Sequence, residues 1–210
     1  MGKATSKRAF VKTWGPKGYR ENFVVYEKQC GLTEEQIVEA CIYPYADFNS
    51  TALEIGCGGG FWLENYLVPL FKNAIGIDLL PNPYLDGIDC TYIEAPDQDY
   101  SCYGVADQSI DFVWSFGVFC HLPIDAIQAY LESAVRVLKP GGEAVLFFSN
   151  TEQRGTNKNP GYSYSGDQGR VGWTKNDWKK TEQLMTKAGF TKVTDLLPGH
   201  GNTLAYGKKP

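Results

Sequence analysis

A short apolar run, Thr51-Ala52-Leu53-Glu54-Ile55, breaks directly into Gly56-Cys57-Gly58-Gly59-Gly60, and a stretch with helical spacing, Phe61 to Phe71, follows at once. Strand, glycine turn and helix in immediate succession constrain this chain more than any other feature. Glycine lets the backbone take positive φ and lets a ligand approach closely. A turn that binds nothing has little use for four glycines in five residues.

The same alternation continues beyond the loop. Ala74 to Ile77, Cys90 to Ile93, Ile110 to Phe116 and Ala144 to Phe148 read as further buried strands. On the helix after the glycines, Leu63, Tyr66, Leu67 and Leu70 face inward and Pro69 distorts the end. Ile127, Leu131, Val135 and Leu138 recur at helical spacing on another, which Lys139-Pro140-Gly141-Gly142 stops. A last helix starts near Thr174, with Asp177 as its cap, and ends at Gly189; strands around 191–197 and 202–208 close the chain. This pattern predicts an α/β fold: a doubly wound, mostly parallel seven-stranded sheet with helices on both faces.

Ahead of the core, residues 1–20 are polar, basic and rich in Gly and Pro, and read as a flexible arm. Two helices follow, making an N-terminal helical extension. Thr33 and Gln36 stand at capping-box spacing at the start of the second, with Ile37, Val38, Cys41 and Ile42 on one face. The expected division is an arm with helices over 1–48 and a core over 49–210.

At 210 residues a substantial core forms without staples. The net charge of −4 argues against a protein whose main partner is the nucleic-acid backbone. Its cations gather near the ends, in Lys3 to Lys17 and in Lys175, Lys179 and Lys180, where they read as solvated surface. Six cysteines without a Cys-x-x-Cys pair argue against zinc, so no metal is expected, and they read as free thiols. No stretch approaches ~20 apolar residues, so no membrane partner is expected and the cytoplasm is the default address. A homo-oligomer is compatible with all of this.

Which ligand the glycines take is narrowed by their neighbours. A dinucleotide fingerprint needs a third glycine where Phe61 stands, and a phosphate loop needs a Gly-Lys-Ser/Thr that is missing. Asp78 closes the second strand about twenty residues on, where a carboxylate accepts both hydroxyls of an unphosphorylated ribose. That leaves NAD and S-adenosylmethionine both open.

Four segments decide between them by resemblance. Leu53 to Gly60, Gly76-Ile77-Asp78, Ser109 to Phe116 and Val137-Leu138-Lys139-Pro140-Gly141-Gly142 resemble, in order and spacing, the class I (Rossmann-like) S-adenosylmethionine-dependent methyltransferases of the small-molecule type. The resemblance implies S-adenosyl-L-methionine as cofactor. It implies that the backbone of Gly56, Cys57 and Gly58 lies against its methionine part, with Glu54 near the ammonium group. Asp78 would hold the ribose, Leu79 pack on adenine, and Asp97 and Gln98, within Asp97-Gln98-Asp99, meet the adenine amino group. Ser115 and Phe116 would line the sulfonium side. The N-terminal segment would serve as a lid on the substrate side, with Trp14 and Tyr19 as its candidates.

Methyl transfer asks chiefly for alignment and exclusion of water, and an alcohol acceptor gains from a general base. His121, just past the fourth strand, is the candidate catalytic base; the competing reading is a histidine that only supports the loop. His200, between Gly199 and Gly201, is the second candidate. The polar stretch 149–173, with Asn150, Arg154, Tyr162, Tyr164, Asp167, Arg170 and Trp173, suits a ring-shaped polar acceptor. The expectation is methylation of a small molecule, O-methylation of a sugar-like or other polar acceptor first. The alternatives are a nucleic-acid or protein methyltransferase and a non-catalytic cofactor-binding partner subunit. Ser115-Phe116-Gly117-Val118 stands where base-amino methyltransferases carry Asn/Asp-Pro-Pro-Tyr.

Overall fold

The computed structural model describes residues 31–79, 82–150, 174, 176–200 and 202–210. Seven strands form one sheet: β1 Thr51–Ile55, β2 Asn73–Asp78, β3 Thr91–Glu94, β4 Ile110–Ser115, β5 Leu138–Ser149, β6 Thr191–Asp195 and β7 Asn202–Lys208. Their spatial order is β3-β2-β1-β4-β5-β7-β6, and β7 alone runs against its neighbours. The expected doubly wound, mostly parallel sheet is what the chain builds. From β1 the order runs outward through β2 to β3, and from β4 outward through β5. The carboxyl ends of β1 and β4 therefore flank the point where the winding reverses, the place where open α/β sheets take their ligands.

Side chains alternate between two faces, and each face has its own core. Ala52, Phe112, Trp114, Val145 and Phe147 point to one side, where α1 (Glu34–Cys41) and the helix after the glycines cover them. Leu53, Ile55, Val113, Leu146 and Phe148 point to the other, under α3 (Ile124–Val137) and α4 (Trp178–Ala188). α3 buries Ile127, Tyr130, Leu131, Ala134 and Val137 along one stripe. Among the described residues no helix is long and apolar enough to cross a membrane.

Local chemistry sets the boundaries. Thr33 caps α1 as expected: its hydroxyl accepts the Gln36 amide at 3.2 Å and Gln36 Oε1 accepts the Thr33 amide at 2.9 Å. Asp177 caps α4, accepting the Lys180 amide at 2.8 Å, and Gly189 ends it at φ +109°. That helix begins at Trp178, later than the expected start near Thr174.

Two further details depart from expectation. The helix after the loop is widened into a π turn over Leu63–Leu67 before α2, Val68–Leu70. The Val68 amide donates to Leu63 O, five residues back, just before Pro69, which has no N–H to continue an α ladder. Leu138, read as the last inward residue of a helix, instead starts β5 and pairs with Ile110; two steps along β4 are then matched by five along β5, so Lys139 to Gly142 bulge out of the ladder. The first of the two expected N-terminal helices, Trp14, Tyr19 and all of the 149–173 stretch except Ser149 and Asn150 lie outside the described residues.

Candidate active site

The glycine loop rises from the carboxyl end of β1 and is stitched to β2. The amides of Gly56 and Cys57 both donate to Ile77 O, at 2.8 and 3.2 Å, and Gly60 N donates back to Cys57 O at 2.8 Å. Gly58 N donates to Asp78 Oδ2 at 2.8 Å. Four loop amides are thus satisfied within the protein, unlike a phosphate loop, which keeps its N–H groups for the ligand. What the loop offers is close approach: Gly56, Gly58 and Gly60 sit at φ +71°, +52° and +82°. Gly76, on β2, is required by the same packing, because a Cβ there would stand 2.9 Å from Cys57 Sγ.

Under the loop lies Glu54, 1% exposed, with one carboxyl oxygen lacking any hydrogen-bond partner. Burial drives this carboxyl well above the usual carboxylate range; the negative charge of Asp78 adds to the shift, and the Leu63 amide bonded to it pulls the other way. Asp78, half-buried at the end of β2, accepts Gly58 N through Oδ2 and Leu79 N, at 2.7 Å, through Oδ1. Burial raises its pKa too, against the pull of those two amides. Each carboxylate oxygen has a second lone pair, so ribose hydroxyls fit without displacing either amide. The Cys57 thiol is pushed far up by burial and then by Glu54 and Asp78, which keeps it protonated.

β4 supplies the far wall. Ser115 is fully buried, and its hydroxyl donates to Ile55 O at 2.8 Å, bracing β1 and β4 where they diverge. Phe116 is half-buried, 4.5 Å from Phe147 and 5.2 Å from Trp62 between ring centroids. Val118 then leans over the loop against Gly56. His121 closes that turn, half-buried, with its amide donating to Val118 O at 2.9 Å.

The structure brings Glu54, Gly56, Cys57, Gly58, Asp78, Ser115, Phe116 and His121 to one end of the sheet. Leu79 is 42% exposed at the head of the β2–β3 connection. Asp97 and Gln98 form an exposed turn past β3, two strands from the loop. His200 is half-buried in the β6–β7 connection, where its charge opposes the burial-driven rise of Asp195. Asp195 also accepts Thr203 Oγ1 at 3.4 Å, and Thr203 in turn accepts Asn150 Nδ2 at 3.1 Å.

Two contributors escaped sequence reasoning. Asn82 donates its side-chain amide to Gly58 O, and Leu85 fills the space beside Gly60, where a Cβ would stand 2.3 Å from Leu85 Cδ2. The Asn82-Pro83 pair was the available signal, since it caps a short 3₁₀ turn, Pro83–Leu85.

The residues present fit an adenosyl ligand with a cationic tail. The unpartnered Glu54 oxygen suits a cation, Asp78 suits a ribose, and the loop leaves no room for side chains between them.

Residues 53–146 match the family model described as a methyltransferase domain. No curated protein sequence matches the chain. Among solved structures, it is similar to the complex of the Haloferax volcanii Trm112 methyltransferase activator with a methyltransferase (15% identity, 95% of this chain and 97% of that one, TM-score 0.65). A Thermotoga maritima S-adenosylmethionine-dependent methyltransferase, described as a possible histamine N-methyltransferase, aligns at 19% identity over 96% and 98% of the two chains (TM-score 0.60). The Burkholderia thailandensis 1,6-didemethyltoxoflavin-N1-methyltransferase, solved with its substrate and S-adenosylhomocysteine, aligns at 14% identity over 100% and 91% (TM-score 0.60).

Proposed function

We propose that this chain, whose residues 53–146 match the methyltransferase-domain model, is a class I S-adenosylmethionine-dependent methyltransferase that methylates a small polar acceptor, at an oxygen of a sugar-like or related molecule. The observation that carries this reading is the contact between the two halves of the site. Val118 packs on Gly56, and His121 is bonded to Val118, so a histidine rides on the same edge as the glycine loop.

When bound, S-adenosylmethionine supplies a methyl carbon activated by positive sulfur. The chain's residues orient and enclose it. Gly56, Cys57 and Gly58 would lie along its methionine part, and Glu54 would face its ammonium. Asp78 would hold the ribose, Leu79 would cover adenine, and Asp97 or Gln98 would meet the adenine amino group. Ser115 ties β4 to β1 through Ile55 O, and Phe116, packed on Phe147, would form the apolar wall beside the methyl group. His121 would accept the proton of the acceptor's hydroxyl.

The acceptor class is supported by the charge of −4, which does not suit a nucleic-acid backbone, and by the fold's use on a small heterocycle in the Burkholderia enzyme. The test is methyl transfer from labelled S-adenosylmethionine into separate pools of small polyhydroxylated compounds, RNA and protein. Label in the first pool alone supports the reading; label in RNA or protein alone rejects it.

A further inference from the structure

The β2–β3 connection reaches back over the glycine loop and grips it at two points. Asn82 Nδ2 donates to Gly58 O, while Asn82 Oδ1 accepts the Tyr84 amide at 3.1 Å, so one side chain links the loop to the turn that follows it. On the other side of the same residue, Gly58 N is held by Asp78. Both backbone polar groups of Gly58 are therefore fixed from the β2–β3 side. Leu85 then closes against Gly60.

We propose that Asn82 is a positioning residue for the methyl donor, holding Gly58 in the binding conformation before the donor arrives. This rests on the reading of the loop as the donor site. Three consecutive glycines, Gly58 to Gly60, have more backbone freedom than any other stretch of the site. Gly58 and Gly60 are needed at positive φ, and free glycine populates both signs about equally. Untethered, the loop spends only part of its time in the competent form, and apparent affinity falls by that fraction. A tether from a neighbouring connection restores it without touching the ligand. Asp78 cannot do this alone, because it grips only the amide on one side of the residue and must also serve a ribose.

Two substitutions separate tethering from turn formation. Asn82→Asp keeps the shape and the oxygen that caps Tyr84, but removes the donor to Gly58 O. Asn82→Ser keeps a capping oxygen on a side chain too short to reach the loop. Calorimetric titration of the full chain with S-adenosylhomocysteine should show roughly five- to tenfold weaker binding in both variants, the size set by one neutral hydrogen bond. The melting temperature of the ligand-free protein should stay near that of the wild type, because the cap is kept. Binding within twofold of the wild type in either folded variant overturns the proposal. Wild-type protein that binds no S-adenosylhomocysteine overturns the donor site itself, and the tether with it.

Discussion

Val118 occupies the space a side chain on Gly56 would need: an ideal Cβ there would stand 2.2 Å from Val118 Cγ2. Gly56 also sits at φ +71°, a region that costs other residues about 1–2 kcal/mol. Gly56→Ala should therefore lower the melting temperature by several degrees, on the order of 2–4 °C per kcal/mol at this size. S-adenosylhomocysteine binding should weaken by more than the stability loss suggests, because the loop must move off Val118. Adding Val118→Ala should recover part of the stability and leave the backbone strain. Thermal melts of the wild type and these two variants test this; an unchanged Gly56→Ala melt is the contrary result.

The proposed role of His121 is to act on the acceptor and not on the donor. Once an acceptor is found, His121→Ala should lower kcat by roughly a hundredfold or more, the usual scale of general-base catalysis. Donor affinity should change less than about threefold. A full rate in His121→Ala would remove the base role and leave the histidine as support for its turn.

The buried carboxyl of Glu54 makes stability depend on pH. Its folded pKa is raised above the ordinary value of 4.5, so the native state holds its proton after the unfolded chain has released one. Stability from this group is complete below about 4.5 and is lost as pH climbs toward the raised value. Glu54→Gln, neutral at every pH, removes that loss. Urea midpoints at pH 5 and pH 8 should show the variant gaining on the wild type at the higher pH. A constant gap between the two proteins contradicts a raised pKa.

Cysteine reactivity follows burial. Among the described cysteines, Cys41, Cys57, Cys102 and Cys120 are buried and Cys90 is partly exposed. A short iodoacetamide pulse with peptide mapping should label Cys90 well before those four. Early labelling of Cys57 would mean that the glycine loop opens readily.

The parts of this fold that sequence reveals are those fixed by neighbours in the chain. Thr33 and Gln36, three residues apart, cap a helix wherever they occur, and Asp177 and Gly189 bound one by the same local logic. The alternation of strands and helices likewise fixes a parallel sheet, and with it which ends of β1 and β4 meet. The π turn was hidden because its cause, Pro69, acts on a bond five residues long that an α pattern does not anticipate. The bulge in β5 depends on Ile110, twenty-eight positions before its partner Leu138 in numbering but adjacent in the sheet.

The site divides in the same way. Glu54, the glycines and Asp78 stand in a recognisable order, whereas Asn82 is 24 residues from the carbonyl it holds and only the folded chain joins them. Asp111 and Lys139 belong to the family-like segments yet lie at the opposite end of the sheet. Asp111 Oδ2 accepts Lys139 Nζ at 2.7 Å and Thr51 N at 2.8 Å, bracing β1, β4 and β5 rather than meeting a ligand.

The central claim, that Gly56 to Gly60 and Asp78 form the donor site, is tested most directly by calorimetric titration of the wild type and Asp78→Ala with S-adenosylhomocysteine. The wild type should bind one ligand per chain. Asp78→Ala should bind roughly tenfold to a hundredfold more weakly, since it loses charge-assisted bonds to the ribose and to Gly58 N. No saturable binding to the wild type, or equal affinities in the two proteins, would contradict the account.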